Sequence, residues 1–125
     1  MEINDITGHI IDAAIKVHSA LGPGLLESAY EACLMYELNK RGLVVRNQVP
    51  LPVKYEDVII EVGYRIDLLV AESVIVELKS VDDVAPIHKA QLLSYLKLAD
   101  KRLGFLINFN VPLLKEGLKR MVNNF

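Results

Sequence analysis

Asp67, Glu77 and Lys79 fall within one short stretch, Arg65-Ile-Asp-Leu-Leu-Val-Ala-Glu-Ser-Val-Ile-Val-Glu-Leu-Lys79, at the spacing of a strand hairpin. If Ala71-Glu72-Ser73 forms a three-residue loop, one of the commoner lengths, then Val70 pairs with Val74, Leu68 with Val76 and Ile66 with Leu78. One face of the hairpin is then wholly aliphatic and belongs to a core. The other sets Asp67 directly opposite Glu77, with Cβ atoms about 4.5–5.5 Å apart. Lys79 follows two residues along that face, because side chains alternate on a strand. Opposed carboxylates repel and destabilise the pair unless positive charge lies between them. A divalent cation meets that need. Magnesium is hard, prefers oxygen ligands, retains several waters and is commonly held by one or two carboxylates together with substrate phosphates. Zinc would call for His or Cys, which the stretch lacks. Lys79 beside such an ion could position or deprotonate an attacking water and offset charge on phosphoryl oxygens. The same spacing fits, equally well, an ordinary solvated sheet face on which Lys79 pairs with either acid.

The rest of the chain must position that hairpin. Ile3, Ile6, Ile10, Ala13, Ala14, Val17 and Leu21 recur at steps of three and four, one face of a helix. Gly22-Pro23-Gly24 ends it in a sharp turn, and a second helix is expected from about Leu25 to Arg41, striped by Leu26, Ala29, Tyr30, Cys33, Leu34 and Leu38 and stopped at Gly42. Strand-like runs follow at Val44 to Val49 and Leu51 to Tyr55, with Pro50 and Pro52 marking an edge and Glu56-Asp57 a turn. Val58 to Val70 reads most simply as one long strand bent at Gly63, and Val74 to Lys79 as the next. Pro86 suits a first helical turn, and Ile87, Leu92, Leu96 and Ala99 continue that helix. Leu103 to Phe109 is a short apolar run, expected as a strand buried on both faces. A last helix is expected from about Pro112 to Val122. The order predicts an α/β fold, a mixed sheet of about four strands flanked by helices.

At 125 residues the chain has length for one core, so residues 1–125 are read as a single domain. Hydrophobic residues at 52% and charged residues at 24% describe a globular protein and exclude disordered or collagen-like classes. No apolar stretch approaches the roughly 18 to 20 residues of a membrane span. The chain opens with Glu2 and Asp5 instead of a basic segment and an apolar signal region, so the expected location is the cytoplasm, with no membrane partner. Cys33, the one cysteine, stands among apolar residues at helical spacing and reads as a core thiol. Fourteen Lys and Arg against sixteen Asp and Glu give −2, which counts against a module that grips nucleic acid by charge alone. A nuclease tolerates that balance if cations neutralise its acidic site.

Asp67, with Glu77-Leu78-Lys79 ten residues later, resembles the signature of the PD-(D/E)XK nuclease superfamily, although Ile66 stands where the motif's first letter has proline. Gln91 and Tyr95 resemble the Gln-x-x-x-Tyr helix motif of its RecB-like branch. Gly24-Leu-Leu-Glu27-Ser-Ala-Tyr30 resembles the GxxExxY pattern that names one small family within it. The resemblance covers nearly the whole chain. It implies a restriction-endonuclease-like core with an extra N-terminal helix, Mg²⁺ as cofactor with Mn²⁺ able to substitute, and DNA or RNA as substrate. It further implies that Asp67, Glu77 and the backbone carbonyl of Leu78 hold the metal while Lys79 assists the water, with Glu27 as a further acidic member. Gln91 and Tyr95, one helical turn apart, would orient Lys79 or the substrate phosphate.

Plainer roles stand beside these. Glu27 in a first helical turn also complements the helix dipole, worth about 0.3–1 kcal/mol. Tyr30 lies on the apolar stripe and reads as core; Gln91 and Tyr95 could be a helix-surface pair. His18 and His88 show no metal-ligand spacing, though His88 lies one turn before Gln91. Lys97, Lys101 and Arg102 would contact phosphate or simply form a solvated helix end. A rival reading keeps the scaffold without catalysis: the acidic balance and high apolar fraction would suit an interaction module working as a homo-oligomer.

Overall fold

The computed structural model describes residues 1–124; Phe125, the last residue of the span read as one domain, lies outside them. Two helices open the chain, α1 (Ile3–Leu21) and α2 (Glu27–Lys40), followed by β1 (Val45–Pro50), β2 (Val53–Tyr55), β3 (Val58–Ile60), β4 (Arg65–Val70) and β5 (Val74–Lys79). Then come α3 (Pro86–Ala99), β6 (Leu103–Asn108), the single turn α4 (Leu114–Gly117) and β7 (Leu118–Val122). Five strands make one mixed sheet in the order β1-β4-β5-β6-β7, antiparallel throughout except for the parallel pair β5 and β6. The crossover joining that pair is α3, as parallel neighbours require.

The sheet carries helices on both sides. On one, α1 and α2 bury Ile10, Tyr30, Leu34 and Leu38 against Val76, Leu78, Phe105 and Phe109. On the other, α3 buries Leu92 and Leu96 against Leu69, Ile75 and Leu106. Strands covered on both faces must be apolar at every position, and β6 is buried along its whole length. Full burial of each such Leu, Ile or Phe contributes about 1.5–3 kcal/mol. Among the described residues no helix is long and apolar enough to cross a membrane.

Three expectations are corrected. The segment from Val58 to Val70 is not one bent strand: β3 folds back on β2 as a separate two-stranded hairpin, and Gly63, at φ 87°, turns the chain before β4 begins. Glycine takes that left-handed conformation without a Cβ clash. The expected last helix stops after one turn. Leu114, Leu118 and Met121 do recur at helical steps, but β6 would otherwise leave a row of backbone groups unpaired at the sheet's edge, and β7 satisfies them from Ile107–Leu118 to Leu103–Val122. Gly117 marks the switch, because a Cβ there would run into the carbonyl oxygen of Asn108. Among the described residues the main sheet thus has five strands, in line with the expected sheet of about four.

The third correction concerns Ile66. Leu68, Val70, Val74, Val76 and Leu78 share the core beneath α1 and α2, as the hairpin pattern requires, but Ile66 packs in the cluster beneath α3. The cause is a break in both ladders at Asp67. The β1–β4 register passes from Asn47–Leu68 to Val49–Ile66, skipping Gln48, whose φ is 50°; the β4–β5 register ends at Leu68–Val76. Freed on both sides, β4 turns its side chains at that residue.

Candidate active site

The break in the ladder is also where the acids meet. Backbone pairing of β4 with β5 stops one step short of Asp67 and Glu77, and side chains take over. The Asp67 N–H donates to Glu77 Oε2 at 2.8 Å, and the Leu78 N–H donates to Asp67 Oδ2 at 2.9 Å. Each carboxylate thus commits one oxygen to the neighbouring strand. Asp67 Oδ1 accepts only a long bond from Gln48 Nε2, at 3.3 Å, and Glu77 Oε1 accepts none among the described residues. Two carboxylate oxygens remain to be offered.

Glu77 is 5% exposed, whereas Asp67 is half-buried. Burial is the first cause that pushes the Glu77 carboxyl up to about 8, and the charge of Asp67 is the second; the bond from Asp67 N–H and the charge of Lys79 pull the other way. Lys79 ends β5 opposite Asn108, half-buried, with no acid within ion-pair distance among the described residues. Its amine therefore acts on Glu77 through space and is not locked in a pair.

Several contacts fix the end of β5. Ser80 donates its hydroxyl to the Leu25 carbonyl at 2.6 Å and its N–H to Glu27 Oε2 at 3.3 Å, stitching β5 to the start of α2. Buried Asn108 donates to the Val81 carbonyl at 2.9 Å and accepts the Val81 N–H at 3.1 Å, stitching it to β6.

Glu27 is the first residue of α2 and lines a cavity of about 390 Å³ together with Glu31, Gln48, Asp67 and Leu78. The loop that brings it there is held by Tyr30, which is fully buried and stacked on Phe109 with ring centroids 4.4 Å apart. The Tyr30 hydroxyl donates to the Gly22 carbonyl and accepts the Leu25 N–H, closing the turn before Glu27. Tyr30→Phe is expected to cost about 1–2 kcal/mol, since it leaves a carbonyl and an N–H unpaired without disturbing the ring. A urea denaturation midpoint equal to that of the wild type would show that the hydroxyl does not pin the loop.

Tyr95 is 5% exposed on α3, and its hydroxyl pKa is raised by burial first, then by the charges of Glu77 and Asp67, which places it in the field of both acids. Gln91, one turn earlier, makes no hydrogen bond to Lys79 or either acid among the described residues. It opens instead into a neighbouring cavity that it shares with Tyr95 and Tyr64. His88 caps α3 by accepting the Ala85 N–H, and His18 bonds the Val111 carbonyl, so neither belongs to the site.

Two members were not foreseen. Glu31 lies one helical turn beyond Glu27 and binds Gln48 Nε2 at 2.7 Å; Gln48 in turn reaches Asp67. The four-residue spacing of Glu27 and Glu31 was a signal that both face one way, but their meeting with β1 depends on the fold.

Among the described residues no three His, Cys, Asp or Glu side chains are gathered into a ready-made metal cage. The donors present are carboxylate oxygens around an open cavity, with Leu78 on its wall. Such a set fits a hard cation that keeps several waters, since magnesium is commonly bound by only one or two carboxylates. Glu77, held neutral by burial and by its acidic neighbour, would recover its charge with such a cation in place.

Compared with known families, residues 4–121 match the model of the PD-(D/E)XK nuclease superfamily. The chain belongs to that superfamily. Membership agrees with the mixed sheet flanked by helices and points to metal-dependent nuclease chemistry. No curated protein and no solved structure gives a match.

Proposed function

We propose that the protein is a Mg²⁺-dependent nuclease that hydrolyses phosphodiester bonds of DNA or RNA, with Mn²⁺ able to replace Mg²⁺. The observation that carries the reading is the pair of bonds by which the Asp67 N–H donates to the Glu77 carboxylate and the Leu78 N–H to the Asp67 carboxylate, aligning two acids at the break in the sheet two residues before Lys79. Asp67, Glu77 and the carbonyl of Leu78 would hold the cation, with Glu27 supporting it from α2. A bound divalent ion supplies Lewis acidity toward the phosphoryl oxygen and toward a water. Lys79 orients that water and offsets negative charge developing on the phosphate. Tyr95 and Gln91 hold the substrate side of the site. With a cation held there, Asp67, Glu77 and Glu27 would be neutralised enough for a chain of net charge −2 to accept a polyanion.

Purified protein is expected to cleave a mixture of single-stranded and duplex nucleic acids with Mg²⁺ or Mn²⁺ and to stop on addition of EDTA. No cleavage with either ion across DNA and RNA removes the proposal.

A second role, compatible with the first, is favoured by the β2–β3 hairpin, where Tyr55, Val58, Ile59 and Ile60 are all exposed. A two-stranded hairpin is marginal alone in water, and such a surface suits contact between copies. Light scattering that finds only a 14.0 kDa particle at high concentration would defeat it.

A further inference from the structure

A second cavity, of about 370 Å³, lies beside β4: Tyr95 in its wall belongs to the buried cluster that includes Ile66, the residue before Asp67. Tyr64 forms another part of the wall. It stands just before β4, three residues from Asp67, and its backbone is fixed at the base of the hairpin by the Leu51 N–H, which donates to the Tyr64 carbonyl at 2.9 Å. The Tyr64 ring is 44% exposed and lies 5.9 Å from the ring of Tyr95 at an angle of 52°. On α3, Ile87, 69% exposed, and half-buried Leu98 supply apolar surface, with Gln91 and Ser94 among the polar lining.

Among the described residues no charged side chain lines this cavity. A phosphate would find no cation there, and an aliphatic chain would leave the Gln91 amide and the Ser94 hydroxyl without use. The lining instead matches a flat, neutral heterocycle with hydrogen-bonding edges: an aromatic ring for its face, and an amide and a hydroxyl, each both donor and acceptor, for its rim. The volume is at the small end for ligand pockets. We infer that this cavity takes one unpaired nucleobase of the substrate strand, stacked on Tyr64 beside the scissile phosphate. The inference rests on the nuclease reading and narrows its substrate class. A base inside a duplex has no free face to stack, so the substrate is a single strand or an unpaired end or flap.

The test needs no cleavage. The full chain in Ca²⁺, an oxygen-liganded divalent ion that neutralises the cleft, is titrated into DNA and RNA single strands with nuclease-resistant phosphorothioate linkages carrying one 2-aminopurine, and into a fully paired duplex with the same label. Fluorescence should be quenched with at least one type of single strand and not with the duplex. Tyr64→Ala should abolish the quench and weaken binding roughly tenfold, the loss expected for one base–aromatic stack. Tyr64→Phe should retain both, and Tyr36→Ala, at an exposed tyrosine on α2, should change neither. Binding and quenching by Tyr64→Ala equal to those of the wild type, equal quenching of the duplex, or no quenching by the wild type overturns the inference. Wild-type protein that quenches but never cleaves with Mn²⁺ defeats the nuclease reading alone. Protein that cleaves, while Tyr64→Ala binds unchanged, defeats the base pocket alone.

Discussion

Glu77→Gln should unfold at a higher urea concentration than the wild type at pH 8.5, and at nearly the same concentration at pH 4, when no divalent cation is present. The sign follows from the raised carboxyl. In the folded chain Glu77 holds its proton up to about pH 8, whereas in the unfolded chain it loses it near 4.5. Between those values the folded state binds one proton more than the unfolded, so wild-type stability falls as pH rises through the window and is lowest above it. At 1.36 kcal/mol per unit of pKa, the wild type loses on the order of 5 kcal/mol across that range. Glutamine cannot ionise, and its carbonyl oxygen can still accept the Asp67 N–H, so the variant should gain about 2–4 kcal/mol at pH 8.5 and little at pH 4. Adding Mg²⁺ or Mn²⁺ should reverse the order. The wild type gains stability by binding the ion, the variant has lost a ligand and gains much less, and below pH 8 the wild type releases a proton as it binds. A variant with the same pH slope as the wild type would show that Glu77 is not the strained acid.

That strain was only half legible in the sequence. The hairpin register followed from period-two aliphatics around Ala71-Glu72-Ser73, because a slip by one residue would send Leu68, Val70, Val74 and Val76 to the wrong face. The bounds of α3 followed from Pro86, and those of β5 from its apolar run. What strand alternation could not show is that both ladders fail at Asp67. On the β1 side the gap falls at Gln48, distant in sequence, which takes a left-handed backbone opposite Asp67. The same separation hid Glu31, whose role rests on α2 meeting β1. The stretch from Pro112 to Val122 was expected as a helix because the open edge of β6 that captures β7 exists only once the sheet has formed. Local pattern was informative wherever one face was buried; it failed where two distant segments competed for the same backbone groups.

Lys79→Ala should lower the rate of nucleic-acid cleavage by about 10²–10⁴-fold, the range for losing one positioned proton-transfer or charge-stabilising group, while leaving the fold and metal binding in place. The fold should tolerate the change because Lys79 has no ion pair within bonding distance among the described residues, so truncation orphans no partner. Its stability should shift by less than about 1 kcal/mol. Metal binding should be equal or tighter, since removing a cation beside Asp67 and Glu77 relieves repulsion toward a second one. A merely structural lysine predicts the reverse: lost stability, with metal binding and cleavage declining together. Single-turnover cleavage and calorimetric Mn²⁺ titration on the same preparation separate the two. Asp67→Ala provides the contrast, because it should remove cleavage and metal binding alike. If Lys79→Ala cleaves within threefold of the wild type while Asp67→Ala does not, the acids hold the metal but the water is activated without Lys79.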